Sequence, residues 1–170
     1  MPYSQPEPLR GKHSTDSFSC GEDSLDIWLE RYARHAEAVG TARTFVTTEN
    51  GKDIVAYYAL TVGQVEPRDA TDRLLKGLPH GAPVGVALLA RLGVDLRHQG
   101  GGLGRSLLQD ALLKVAGAAE AMGIRALVVH ALTEDAMLFY RRFGFESSPV
   151  DPLTVILLMK DLQTLLDSAA

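Results

Sequence analysis

Cysteine is nearly absent from this chain, because Cys20 is the only one among its 170 residues. One cysteine cannot form an internal disulfide, and no Cys/His pairing has the spacing of a zinc site. We therefore expect neither a disulfide nor a metal ion to hold the fold together, and we expect no metal in the functional site.

Long apolar runs are also lacking. The longest uncharged apolar stretch, residues 84–90, is far shorter than the roughly 20 residues that a membrane-spanning helix needs. The N-terminal segment is polar and contains proline, unlike the apolar core of a secretory signal. These features predict a cytoplasmic protein that does not span a membrane. Because 46% of the residues are hydrophobic, the chain can bury a sizeable core, which predicts a single domain over residues 1–170.

A general excess of positive charge is missing too, since the net charge is −4. Residues 91–142 differ from the rest, with seven basic and five acidic side chains, whereas the segments before and after them are both acidic. The arginines of this basic segment are of the type that contacts phosphates. Two interpretations remain open, a local phosphate-binding surface and an ordinary solvated one.

Periodicity predicts alternating helices and strands. In the first half we expect a helix at about 22–38 ended by Gly40, and a hairpin of strands 44–48 and 54–62 joined by Asn50 and Gly51. A short helix at about 69–76 follows.

The second half shows a sharper pattern of strand, glycine-rich turn and helix. The predicted elements are a strand at 84–94, a helix at 103–121 closed by Gly123, a strand at 124–131, a helix at 133–142 capped by Thr133, a strand at 153–159 and a terminal helical turn.

The glycine-rich turn suits a phosphate, because its backbone N–H groups and the following helix N-terminus can both face an anion. A P-loop is excluded, since Gly104 is followed by Arg105 and preceded at the required distance by Gln99. A GxGxxG dinucleotide motif is excluded as well, since arginine and leucine stand where its last glycine is needed. The pattern that fits is Gln/Arg-x-x-Gly-x-Gly, formed by Gln99, Gly102 and Gly104.

This loop and its flanks resemble the GNAT superfamily of N-acetyltransferases, and the chain from about residue 8 to 160 is similar to the TacT-like toxins of bacterial toxin–antitoxin pairs. The motifs that carry the resemblance are spread over the chain: they are Phe18-x-Cys20-Gly21, Leu25-Asp26-x-Trp28-Leu29, Tyr57-Tyr58-x-Leu60, Leu89–Asp95, Phe139-Tyr140 and Phe143-Gly144-Phe145.

The resemblance implies an α/β (α+β) GNAT fold with a motif core at about 84–146. It has a mixed, mostly antiparallel, twisted sheet that is splayed in the middle and has helices on both faces. It also implies acetyl-coenzyme A as cofactor, with the pyrophosphate on the glycine loop and a backbone N–H on the preceding strand polarising the thioester carbonyl. The cofactor-binding residues are then expected to be Leu92, Gly93, Val94, Gln99, Gly100, Gly101, Gly102, Leu103, Gly104 and Arg105.

Tyr140 is the expected catalytic residue, because the family places its general acid at this Phe-Tyr position. A phenol, with a pKa of about 10, can donate a proton to the departing thiolate of coenzyme A. His130 could act as a base, although a structural, hydrogen-bonded histidine is the favoured interpretation. No general base stands out, which favours an α-amine with a pKa near 8 over a lysine side chain with a pKa of about 10.4.

Three hypotheses of function follow. The first, implied by the resemblance, is a homodimeric toxin that acetylates the α-amine of aminoacyl-tRNA and is silenced by a ribbon-helix-helix antitoxin. In this hypothesis Arg91, Arg141 and Arg142 are the candidate tRNA contacts. The second is a GNAT enzyme acting on a small amine, a peptide or a protein N-terminus. The third, disfavoured by the intact loop and Tyr140, is a non-catalytic coenzyme A sensor.

Overall fold

The computed structural model describes residues 3–169, and these contain one seven-stranded sheet flanked by helices. The strands are β1 (Glu7–Pro8), β2 (Arg43–Thr48), β3 (Ile54–Val65), β4 (Val84–Val94), β5 (Ala126–His130), β6 (Glu146–Ser147) and β7 (Thr154–Leu158). The helices are α1 (Asp23–Arg31), α2 (Ala33–Val39), α3 (Asp72–Leu75), α4 (Leu103–Ala119), α5 (Glu134–Arg141) and α6 (Met159–Ala169).

The sheet has the order β1-β2-β3-β4-β5-β7-β6. The pairs β1/β2, β2/β3, β5/β7 and β6/β7 are antiparallel, and β4/β5 is parallel. The expected fold class, a mixed and mostly antiparallel α/β sheet, is therefore confirmed. The chain divides into two compact units, which comprise residues 3–61 with 90–111 and residues 62–89 with 112–169.

The first unit is built on the β2/β3 hairpin. The side-chain oxygen of Asn50 accepts hydrogen bonds from the backbone N–H groups of Lys52 and Asp53, and Gly51 adopts a φ of +83°, so the predicted Asn-Gly turn is confirmed. The core of this unit packs one face of the hairpin against the first two helices. Its buried members are Leu9, Phe18, Cys20, Leu25, Leu29, Ala33, Val46, Ile54 and Tyr57.

The helix predicted at 22–38 is two helices, α1 and α2, that meet at Tyr32. Tyr32 has a φ of −118°, and no proline or glycine in the sequence marks this break. Both helices bury apolar residues in the same core, Leu25 and Leu29 from α1 and Ala33 from α2, which explains why a periodic pattern runs across the bend. Gly40 ends α2 with a φ of +80°, as predicted.

The second unit has the parallel β4/β5 pair at its centre, with Ala87 beside Leu127 and Leu88 beside Val128. Its core lies between this sheet and the short α3. The buried members are Val65, Ala70, Leu74, Val84, Val86, Ala126, Val128, Ile156 and Leu158.

Several predicted boundaries in this half need correction. Helix α4 ends at Ala119 rather than at the predicted Ala121, and its last turn is closed by Met122 N–H donating to the carbonyl of Ala118. The terminal turn is an eleven-residue helix, α6, held by the fully buried Leu162. Strands β1 and β6 were not predicted, because two residues are too few to show alternation.

Among residues 3–169, no helix is both long and apolar enough to cross a membrane.

Candidate functional site

The glycine loop lies in the first unit, between the end of β4 and the first turn of α4. Gly100 and Gly102 have φ values of +83° and +90°, a region that side chains other than glycine rarely adopt. A Cβ atom added at Gly100, Gly101 or Gly102 would meet no atom within 4 Å, so the loop borders open space. Backbone N–H groups here and at the start of a seventeen-residue helix have no intrahelical acceptor, which makes this space suited to an anion.

The ends of the loop are anchored by side chains. Leu103 is buried at the start of α4, and the Gln99 amide donates to the carbonyls of Val94, at 2.8 Å, and Cys20, at 3.1 Å. The amide of Gln99 therefore ties the loop to the end of its own strand and to the segment before α1. Gly104 lies inside α4, and Arg105 is exposed on the same helix.

Asp95 is a site residue that sequence reasoning missed. Its carboxylate, 1% exposed, accepts hydrogen bonds from the backbone N–H groups of Ser19 and Arg97 and from Arg97 Nε at 3.0 Å. Burial acts to raise the pKa of Asp95, but these hydrogen bonds outweigh burial and lower it. Asp95 thus fixes the turn that leads from β4 into the loop. The sequence feature that could have indicated this role is the position of Asp95 at the end of a predicted strand, two residues before Arg97.

The last residues of β4 include the three expected at the thioester: Leu92, Gly93 and Val94. Gly93 is buried, and a Cβ atom there would lie 3.4 Å from Cys20 Sγ and 3.5 Å from the rings of Phe18 and Tyr57. A glycine lets the strand approach these side chains closely. The Phe18-x-Cys20 motif therefore packs directly against the strand that precedes the loop.

Arg91, also on β4, is not simply solvated. Its guanidinium carbon lies 5.5 Å from the centre of the Trp28 ring, a cation–π arrangement, and Trp28 stacks in turn on Tyr57. Arg91 Nε is buried and has no hydrogen-bond partner among the residues that the structure describes. Because Nε itself has almost no accessible surface, an acceptor atom of a substrate could bind only to another part of the half-buried Arg91 side chain.

Tyr140 lies in the second unit, on α5. This helix begins where Thr133 accepts a hydrogen bond from the N–H of Ala136, as predicted. The Tyr140 ring packs edge-on against Phe139, at 5.1 Å between centroids, and against Phe145, at 5.5 Å. The side chain is 5% exposed, and burial raises the pKa of the phenol. The hydroxyl consequently keeps its proton throughout the neutral range.

The C-terminal end of α5 carries Arg141 and is followed by Arg142, and both side chains are exposed.

His130, at the end of β5, shares a hydrogen bond of 2.9 Å through Nδ1 with Thr154 Oγ1, and Thr154 Oγ1 in turn donates a hydrogen bond to Asp151. This bonding agrees with the structural interpretation of His130.

Within residues 3–169, no group of three or more His, Cys, Asp or Glu side chains could hold a metal ion.

The parallel β4/β5 pair, whose first strand leads through a glycine loop into a long helix, is the arrangement expected of an acyl-coenzyme A-dependent transferase of the GNAT type. The residues present fit that cofactor, because the glycines border open space, adopt positive φ values and precede the N-terminus of a long helix. The family model described as the acetyltransferase (GNAT) domain matches residues 40–147. This chain belongs to the GNAT family, is an acyltransferase and uses acetyl-coenzyme A.

Comparison with known proteins narrows the relationship. The chain is 44% identical over 164 residues to the "tRNA-acetylating toxin" of Mycobacterium tuberculosis (strain ATCC 25618 / H37Rv), covering 96% of this chain and 97% of that protein. It is 27% identical to the "Probable toxin TacT" of Sinorhizobium fredii (strain NBRC 101917 / NGR234), over 94% and 93% of the two chains. Among solved structures, AtaT complexed with acetyl-methionyl-tRNAfMet matches with a TM-score of 0.87 and 25% identity, covering 96% of this chain and 99% of that one.

Proposed function

We propose that this chain is the toxin of a toxin–antitoxin pair, and that it acetylates the α-amino group of aminoacyl-tRNA and thereby blocks translation. The observation that carries the proposal is the 44% identity to a tRNA-acetylating toxin over almost the full length of both chains. The fold shared with AtaT, whose structure contains acetyl-methionyl-tRNAfMet, supports the same acceptor.

We assign the pyrophosphate of the cofactor to the loop residues 99–105 and the thioester carbonyl to a backbone N–H of Leu92, Gly93 or Val94. When bound, acetyl-coenzyme A supplies an activated acetyl group. The loop N–H groups would bind phosphate oxygens. The hydrogen bonds that the Gln99 amide donates and those that the Asp95 carboxylate accepts would keep those donors in place. The protein's main task is then to align an amine.

Tyr140 is our proposed general acid. A phenol, with an ordinary pKa of about 10, carries its proton at neutral pH, which is the state that a proton donor needs, and the raised pKa of the buried Tyr140 leaves that state unchanged. An α-amino group with a pKa near 8 is already partly neutral in the cell, so the acceptor requires little help to lose its own proton. This match favours an aminoacyl group over a lysine side chain.

Arg91, Arg141 and Arg142 are the proposed contacts to the RNA. The partial exposure of the Arg91 side chain and the exposure of Arg141 and Arg142 support this role. At most one of Arg141 and Arg142 is expected to face the acceptor, because adjacent side chains on a helix diverge by about 100°.

Further proposals follow from the likeness to the TacT-like group. We infer that the toxin works in the cytoplasm as a homodimer and that a ribbon-helix-helix antitoxin holds it inactive. We also infer that residues 1–170 act as one domain, since the family match at 40–147 includes residues of both units.

The test is acetylation of purified charged tRNA against a panel of free amines, together with growth after induced expression. We expect N-acetylated aminoacyl-tRNA and growth arrest. Rapid reaction with the amines and none with charged tRNA would instead support the small-amine enzyme, as would normal growth with abundant folded protein.

A further inference from the structure

A second basic feature lies in the second unit and includes none of the site residues discussed so far. It is a cavity of about 240 Å³ with four basic side chains in its wall, Arg73, Lys76, Arg125 and Lys160, hereafter the basic cavity. Ile124 and Leu158 contribute apolar atoms. Lys160 is the only basic residue among residues 143–170, so a generally basic C-terminal segment does not explain why a lysine lines this cavity.

Arg125 is held in a fixed position. Its Nε donates to the carbonyl of Leu74 at 3.1 Å, and its Nη2 donates to the carbonyl of Lys76 at 2.8 Å. These bonds join the start of β5 to the end of α3 and orient the planar guanidinium. An arginine held in this way loses little side-chain entropy when it binds an anion.

Acidic side chains compensate only part of the charge. Arg73 forms ion pairs with Glu146 and with Asp161, the latter at 2.9 Å. Four cations and two carboxylates leave a net charge of +2 around the basic cavity, on a chain whose net charge is −4. Lys76 and Lys160 are both exposed, and their flexible stems allow them to approach a bound anion.

The adjacent cavity provides a contrast within the same unit. It has a volume of about 350 Å³ and shares Ile124 and Arg125, but Arg125 is the only charged residue among those that line it. The remaining wall is apolar or uncharged, with Leu78, Pro79 and Met122 among its members. Positive charge is thus concentrated in the smaller cavity.

We propose that the basic cavity binds a phosphate group of the tRNA backbone and forms an RNA contact separate from the arginines of β4 and α5. The inference rests on the proposed function, and it adds a second place where the enzyme holds its substrate. A fixed guanidinium fork with two mobile ammonium groups suits a phosphate. A volume of about 240 Å³ equals roughly eight water molecules, which leaves room for one phosphate group and its hydration but not for a folded peptide segment.

The experiment uses the full chain with Lys76→Ala and Lys160→Ala combined. Arg125 and Arg73 stay intact, because their loss would release backbone carbonyls or carboxylates and disturb the fold. The matched control is Lys12→Ala with Lys52→Ala, which removes the same charge from exposed lysines of the other unit. The measurements are kcat/KM for charged tRNA over a series of salt concentrations, retention of uncharged tRNA on filters, and the Kd for acetyl-coenzyme A.

We expect kcat/KM for charged tRNA to fall by about tenfold at low salt in the Lys76/Lys160 variant, since hydrogen bonds to charged groups are among the stronger ones. The plot of log kcat/KM against log salt should become less steep by roughly 0.7 to 0.9 for each phosphate that the variant no longer neutralises. Retention of uncharged tRNA by the Lys76/Lys160 variant should weaken in parallel, while its Kd for acetyl-coenzyme A should equal that of the wild type. The control variant should equal the wild type in all three measurements.

Three results would overturn the inference, and they differ in whether the proposed function also fails. If the wild type acetylates charged tRNA and the Lys76/Lys160 variant keeps its rate, its salt slope and its tRNA retention, the basic cavity is not an RNA site but the proposed function stands. If the wild type neither acetylates nor retains tRNA, both fail together. Equal losses in the control variant would also overturn the assignment, because they would reflect net charge alone.

Discussion

The side-chain amide of Gln99 donates a hydrogen bond of 2.8 Å to the backbone carbonyl of Val94, which ties the first residue of the glycine motif to the end of β4. The same amide donates to the carbonyl of Cys20 at 3.1 Å. Gln99 therefore positions the loop through its side chain.

Replacing this amide with a carboxylate removes both donated hydrogen bonds. We expect Gln99→Glu to raise the Kd for acetyl-coenzyme A by roughly thirtyfold, at about 1 kcal/mol for each of the two missing bonds, with added repulsion of the pyrophosphate. Gln109→Glu, an exposed position on α4, introduces the same charge and should have little effect. Calorimetric titration of the cofactor compares the two, and equal affinities would show that Gln99 does not support the loop.

Gly102 should be indispensable for cofactor binding, whereas Gly51 should matter only for stability. Both glycines have positive φ, +90° and +83°, and a Cβ atom at either would meet open space. Each change to alanine should therefore lower the free energy of unfolding by about 1 to 2 kcal/mol. Only Gly102→Ala should weaken acetyl-coenzyme A binding, because its methyl group would enter the anion space. Urea unfolding and calorimetry separate the two effects, and similar cofactor affinities in the two variants would contradict the site.

Tyr140→Phe should lower kcat by about 10² to 10⁴, the usual contribution of a general acid, while the Kd for acetyl-coenzyme A stays constant. The ring contacts with Phe139 and Phe145 are retained, so the protein should remain folded. Induced expression of this variant should no longer arrest growth. Tyr32→Phe, which removes a phenol that is 55% exposed, is the control and should be as active as the wild type. Full activity of Tyr140→Phe would show that the Tyr140 hydroxyl has no catalytic role and that the ring contributes only packing.

One of Arg141→Ala and Arg142→Ala should affect tRNA acetylation more than the other. We expect a reduction in kcat/KM for charged tRNA equivalent to roughly 1 to 3 kcal/mol in that variant, with unchanged cofactor binding. Arg68→Ala, at an 84% exposed side chain, serves as control. Steady-state kinetics with charged tRNA at low and high salt make the comparison, and equal rates in all three variants would identify the α5 arginines as solvated surface.

The raised pKa of the Cys20 thiol predicts how the free energy of unfolding depends on pH in the alkaline range. Burial, followed by the hydrogen bond with Asp26, raises the pKa of the thiol from its ordinary 9.0 to about 12. The folded state thus holds this proton more tightly than the unfolded state does. The resulting contribution to stability is complete below pH 9 and is lost as the pH rises towards 12.

The stability difference between wild type and Cys20→Ala should therefore narrow from pH 8 to pH 10.5, as measured by urea unfolding. The raised pKa values of Tyr58 and Tyr140 act in the same direction above pH 10 and act equally in both proteins. Part of the rise in the pKa of Tyr57 comes from Cys20, so it is lost in Cys20→Ala and belongs to the effect of the substitution. At pH 8 the folded thiol should also resist Ellman's reagent until urea is added. A constant stability difference, or rapid reaction of the folded thiol, would show that Cys20 is accessible to solvent.

Local pattern was enough to predict the elements that surround the glycine loop. Strand β4 spans Val84–Val94, as predicted, and α4 begins at the expected Leu103. The cap at Thr133 was also predictable, because it depends on residues within one helical turn. In each case the stabilising interactions are between residues that are close together in the chain, so the order of residue types is enough to predict them.

The sequence by itself determined the family and the position of the glycine loop, since both depend on residue types at fixed spacing. Only the tertiary structure decided the break at Tyr32, the burial of Asp95 and the stacking of Arg91 on Trp28. It also decided that Lys76 and Lys160, 84 residues apart in the chain, line one cavity. These features arise when distant segments pack together, and the free energy of such packing has no counterpart in local periodicity.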